Sequence, residues 1–232
     1  MTIHVVMKRL LYYLAMITAF AACAGNATKN QNEEEQSQET VAEEAPFVSE
    51  PDGYINGHGY IDLGLSVLWA INNIGATTPE EYGDYYAWGE TATKNTYTRD
   101  NCTSKRINAE SIAGTSNDAA TVNWGNEWRM PTSAEFEELF THCTFELSSY
   151  NDVSGCKITG KNGKSIFLPA AGNKYHVAGD YNNGVRGVCQ YWTASTAGSL
   201  KMPVYITAGL DYSVNQGLRY IGLSVRPIAV LE

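Results

Sequence analysis

From Tyr54 onward the apolar residues of this chain arrive in short pieces, cut apart by Gly, Asn and Asp. Tyr60-Ile61-Asp62-Leu63, Val67-Leu68-Trp69-Ala70 and Tyr85-Tyr86-Ala87-Trp88 come first, followed later by Cys156-Lys157-Ile158-Thr159 and Ser165-Ile166-Phe167-Leu168. Runs this short cannot carry a helical repeat through several turns, yet each is long enough for a strand. Further strands are expected at 190–194, 204–207, 217–221 and 223–228. Composition agrees: only 18% of residues are charged, and 21 Gly and 15 Tyr favour turns and aromatic-bearing strands over long amphipathic helices. Asn162-Gly163 predicts a two-residue hairpin turn, since both residues accept positive φ.

Two helices interrupt this pattern. In Pro131-Thr132-Ser133-Ala134-Glu135 the Thr132 hydroxyl and the Glu135 carboxylate are spaced to form a capping box, with Phe136, Leu139, Phe140 and Cys143 on one face of the helix that follows. A shorter helix is expected at about 118–123, just before Trp124. Two helices among many short strands predict an α+β domain, and 232 residues leave room for one such domain and its appendages.

The appendages lie at the front. Lys8-Arg9, an apolar run from Leu10 to Phe20, and Ala21-Ala22 before Cys23 have the parts of a secretory signal, with Met7 an alternative start. The run is short for a ~30 Å hydrocarbon core, and no other apolar stretch reaches ~20 residues. An anchor that is never cleaved is a competing reading. Residues 24–52 hold seven Glu and one Asp against one Lys and little that could be buried, which predicts a solvated tether. The expected division is therefore 1–22 signal peptide, 23–52 modified cysteine and acidic disordered tether, and 53–232 folded domain. The formal charge of -9 is concentrated in the tether. With no basic stripe, nucleic acid is not an expected partner.

Phe20-Ala21-Ala22-Cys23 resembles a bacterial lipobox, although Phe20 departs from the usual Leu. The resemblance implies acylation of Cys23 and a lipid anchor in the envelope. Cleavage by the ordinary signal peptidase, after Ala21 or Ala24, is the alternative.

Trp124-Gly125-Asn126-Glu127-Trp128-Arg129-Met130-Pro131-Thr132, followed by Glu135-Phe136, resembles the signature of the Fibrobacter succinogenes major paralogous domain. Five more blocks follow that family's pattern: 60–70, 80–90, 166–172, 191–195 and 224–227. The resemblance implies a C-type lectin-like fold and an exported lipoprotein, anchored in the outer membrane and open to surface exposure. In that fold the loops toward the C-terminus often bind ligand. Tyr175, Tyr181, Tyr205, Tyr212, Arg219 and Tyr220 lie there among Gly, Asn and Ser, a composition suited to adaptable contacts.

Chemistry beyond binding finds little support. Glu50-Pro51-Asp52, which resembles a lectin calcium motif, lies in the expected tether, and Trp-Asn-Asp is absent. Formylglycine-generating enzymes, which the chain also resembles, hold copper with two closely spaced late cysteines; here only Cys189 stands in that region. His4, His58, His142 and His176 form no spaced metal set, and Glu135, Glu137 and Glu138 are explained by capping and solvation. No cofactor and no catalytic residue are expected. The four cysteines after Cys23, Cys102, Cys143, Cys156 and Cys189, allow three pairings, among which comparison with the family's pattern suggests a Cys143–Cys156 bridge. The expected function is a surface binding or adhesion module for a glycan or protein. The alternative is a non-catalytic component of a surface appendage or envelope complex.

Overall fold

The computed structural model describes residues 48–175, 187–209 and 211–230, all within the compact unit Glu44–Glu232. The signal peptide, Cys23, most of the tether and Tyr181 lie outside them. The described residues form an α+β domain rich in short strands. None of their helices is long and apolar enough to cross a membrane.

Three sheets build it. The first has the order β1 (Gly53–Ile55), β2 (His58–Ile61), β3 (Val67–Ala70), β14 (Ile228–Val230), β5 (Trp128–Arg129), so the last strand returns to lie beside the opening ones. The second runs β12 (Tyr212–Gln216), β11 (Met202–Ala208), β10 (Cys189–Ala197), β13 (Gly222–Ser224), β4 (Tyr85–Ala87), with β9 (Asn173–Lys174) also on β13. The third is the meander β6 (Thr144–Tyr150), β7 (Val153–Thr159), β8 (Ser165–Pro169).

The two helices are α1 (Ala119–Trp124) and α2 (Ser133–His142), and both start where the sequence signals them. The Thr132 hydroxyl accepts from the Glu135 amide at 3.3 Å, and a Glu135 oxygen accepts from the Thr132 amide at 2.7 Å. Phe136, Leu139 and Phe140 face the core, while Cys143 is the half-buried C-cap.

Why Val67-Leu68-Trp69-Ala70 is apolar at every position is now plain. Val67 and Trp69 pack into one core with Phe136, Leu139, Ile158 and Tyr191; Leu68 and Ala70 pack into another with Trp88, Trp128, Trp192 and Val225. A strand between two cores cannot alternate apolar with polar.

Four expectations need correction. Residues 162–163 do not form a two-residue turn: the Gly160 amide donates to Lys164 O at 2.8 Å, enclosing a three-residue loop in which Gly163 alone takes positive φ, +82°. The two-residue positive-φ turns are Asn56-Gly57, between β1 and β2, and Asn151-Asp152, between β6 and β7. Residues 217–221 are a turn, closed by the Ile221 amide on Leu218 O at 3.0 Å, and the strand is β12 just before it. A Cβ on Gly217 would stand only 3.0–3.2 Å from Tyr205 and Trp192, so glycine is needed where the chain crosses these rings.

Residues 223–228 are two strands in two sheets, not one. Pro227 has no amide to donate to a ladder, and Arg226 turns inward, fully buried. Its guanidinium donates to Asn73 Oδ1 (2.8 Å) and to the carbonyls of Ala70 (3.0 Å), Ile71 (2.5 Å) and Phe167 (2.8 Å). Burial pulls its pKa down to about 10.

The fourth correction concerns the domain boundary at 53, which falls inside the fold. Val48 is buried, the Ser49 amide donates to Ser165 O at 3.1 Å, and Asp52 pairs with Lys164 while accepting from the Asp62 amide at 2.8 Å. Glu50-Pro51-Asp52 is thus part of the docked strap, with its aspartate committed to Lys164. A segment read as acidic and solvated packs because Ser49 exchanges hydrogen bonds with Ser165 at the start of β8 and Asp52 pairs with Lys164 just before it.

Candidate binding groove

The signature block builds a brace. Asp118, fully buried, caps α1 by accepting from the amides of Ala120 (2.8 Å) and Thr121 (3.2 Å), and it also accepts from Gly114 (2.9 Å) and Met130 (2.9 Å). Burial raises its pKa above the usual carboxylate range despite these donors. Next along, Arg129 grips Glu135 with both guanidinium nitrogens, at 2.9 and 2.5 Å. Burial pushes Glu135 up, but Arg129 and the Thr132 amide outweigh it and hold the carboxyl below its ordinary value. Arg129 orients a helix cap. Glu138 is likewise engaged, accepting from the Ser66 amide at 3.0 Å and from its hydroxyl.

The tyrosines expected to bind ligand divide into two groups. Tyr212 lies flat on Phe140, centroids 4.9 Å apart, and Tyr205 stands edge-on to Trp192 at 5.9 Å, so both pack on the cores. Arg219 covers the Trp88 ring at 4.6 Å and donates to the carbonyls of Ile107 (3.0 Å) and Lys201 (2.5 Å), which also makes it a packing residue. Tyr175 and Tyr220 do come together, half-buried and stacked at 5.9 Å. Burial and the Tyr175 hydroxyl raise the pKa of Tyr220. Beside them Lys174 lies over the Tyr85 ring at 4.4 Å.

A groove lies elsewhere. An open groove of about 610 Å³ runs between the strap 48–51 and the β1–β2 hairpin. Its floor is His58 stacked on Trp124, with ring centroids 3.7 Å apart and planes 5° from parallel. Trp128, fully buried, meets the Trp124 ring edge-on at 5.2 Å and locks its orientation. Tyr54, 69% exposed, and Tyr150 add aromatic walls, while Asn72 and Thr77 supply polar ones. Asn72 Oδ1 is buried and accepts no hydrogen bond among the described residues.

Burial lowers the pKa of His58, so at neutral pH its ring is an uncharged plate. Among the described residues no Lys or Arg lines the groove, which offers an anionic ligand no counter-charge from them. Sequence reasoning missed Tyr54, His58, Asn72 and Tyr150, and named Trp124 only within the signature block. The legible signal was Asn56-Gly57, a tight turn that carries Tyr54 and His58 on its two arms.

Among the described residues no group of three or more His, Cys, Asp or Glu is placed to hold a metal ion. No protein-family model, no curated protein and no solved structure matches this chain.

Proposed function

We propose that this chain is an exported, lipid-anchored binding module that holds an uncharged carbohydrate in the Tyr54–His58–Trp124 groove. The reading includes a C-type lectin-like fold of the Fibrobacter succinogenes major paralogous type, acylation at Cys23 and an outer-membrane location. The fold reading is supported by the return of β14 to β3 and by the signature residues acting together as one brace.

The single observation that carries the binding reading is the groove itself. Stacked aromatic plates, an exposed tyrosine and the polar Asn72 and Thr77 occur together in a concavity of ligand size. Sugar rings offer apolar faces for the plates and hydroxyls for the polar walls. Binding is favoured over catalysis because Asp52 is engaged by Lys164, Asp118 by amides, Glu135 by Arg129 and Glu138 by Ser66, so that among the described residues Glu50 is the one carboxylate lining the groove, without a second beside it for paired acid-base work.

The test is a carbohydrate array probed with the mature chain. The proposal expects retention of neutral glycans that Tyr54→Ala abolishes. Retention of acidic glycans alone, or no glycan retention together with a co-purifying envelope protein, would favour an assembly role instead.

A further inference from the structure

We propose that Cys156 and Cys189 form a disulfide bond that staples the β6–β8 meander to the six-stranded sheet. Their sulfurs lie 3.6 Å apart, on β7 and β10, and both side chains are buried. A disulfide needs ~2.05 Å, a closure that small rotations about two Cα–Cβ bonds can supply. Both cysteines meet at Leu168. Cys156 faces Leu168 across the β7–β8 ladder, and the Cys189 thiol donates to Leu168 O at 3.3 Å. No strand pairing joins the two sheets among the described residues, so the bond would be their covalent link.

The other cysteines do not compete. Cys102 sits beside the Ser104 hydroxyl at 3.4 Å. Cys143 immediately precedes β6, whose Leu147 is the residue opposite Cys156. Four residues of strand, at ~3.3 Å each, put Cys143 beyond the reach of a bridge to Cys156. That replaces the pairing expected from the family's pattern. The stretch enclosed by the bond includes Lys174 and Tyr175, so the bond would also pin the root of the Tyr175–Tyr220 surface.

Formation takes one proton and one electron from each thiol. With oxidised glutathione as the oxidant, one cysteine thiolate attacks its S–S bond and expels one glutathione thiol. The second cysteine then displaces the other from the mixed disulfide, leaving the Cys156–Cys189 bond and two reduced glutathiones. The neighbouring Cys156 and burial push the Cys189 thiol up, while the hydrogen bond from Cys189 lowers Cys156, which makes Cys156 the more readily ionised of the two. The proposal stands apart from the groove, and its test requires no ligand.

The mature chain carrying Cys23→Ala is refolded with reduced and oxidised glutathione, or in excess reductant, then alkylated in denaturant and mapped. Trypsin leaves Cys143 and Cys156 in one peptide, because no Lys or Arg lies between Arg129 and Lys157; cleavage after Glu146 separates them. The expected map joins the Cys156 and Cys189 peptides and alkylates Cys102 and Cys143. The oxidised form is expected to melt ~10 °C above the reduced one, with the gap retained in Cys143→Ser and absent in Cys189→Ala. Alkylation of both Cys156 and Cys189 in chain refolded with oxidant, or any other pairing, overturns the proposal. Should Cys189→Ala not fold, the wild-type map alone decides.

Discussion

Glu135 satisfies an amide at the start of α2, accepts the Thr132 hydroxyl and takes the two-pronged grip of Arg129. Its folded pKa lies below its ordinary value. The stability it contributes is therefore complete above its unfolded pKa, ~4.3, and is lost as pH falls through the folded value. Acid melts of Glu135→Gln are expected to lose less stability below about pH 4.3 than wild type does; parallel curves would remove the carboxylate from this role. Trp128→Ala is a harsher change, since the ring is fully buried and its Nε1 donates to Ile55 O at 3.1 Å. A loss of ~3–5 kcal/mol in chemical unfolding is expected, and a neutral result would contradict the brace. The Thr132–Glu135 box was legible because all of its atoms lie within one helical turn of sequence. That Arg129 would grip Glu135 is not legible in the same way, because neither a fork geometry nor the burial of its surroundings is written in local spacing.

Short apolar pieces were readable as strands wherever one piece served one sheet. They were misread where a strand changed sheets, as at Val225-Arg226-Pro227, or where a glycine crossed flat rings, as at Gly217. In both places a contact distant in sequence overrides the local pattern. The strap 48–52 teaches the same lesson: its charge reads as solvated, but Lys164 and Ser165 give it partners. Residues 53–232 are therefore expected to be less stable than 48–232 by ~2–4 kcal/mol, from one buried valine and the lost hydrogen bonds. Thermal melts of the two chains would check this, and coincident curves would make the strap dispensable.

Among the described residues the domain carries an aromatic pair at Tyr175–Tyr220 and an aromatic groove at Tyr54–His58–Trp124, and sequence composition pointed to the first. Tyr-, Asn- and Gly-rich stretches toward the C-terminus supplied the Tyr175–Tyr220 pair, whereas Tyr205, Tyr212 and Arg219 are spent on packing. The groove escaped notice because His58 and Trp124 meet only when β2 and the end of α1 are brought together by the first sheet. Trp124 serves two purposes there, closing the core and supporting the floor on which a ligand ring would rest. Tyr54, being so exposed, can be removed without disturbing either. The decisive measurement is calorimetric titration of the mature chain with the best neutral glycan from the array, alongside Tyr54→Ala and Tyr220→Ala. Tyr54→Ala is expected to bind at least about tenfold more weakly, a loss of ~1.4 kcal/mol, with its melting temperature unchanged and Tyr220→Ala binding as wild type. Full affinity in Tyr54→Ala, with binding lost in Tyr220→Ala, would place the ligand on the C-terminal loops and contradict the groove.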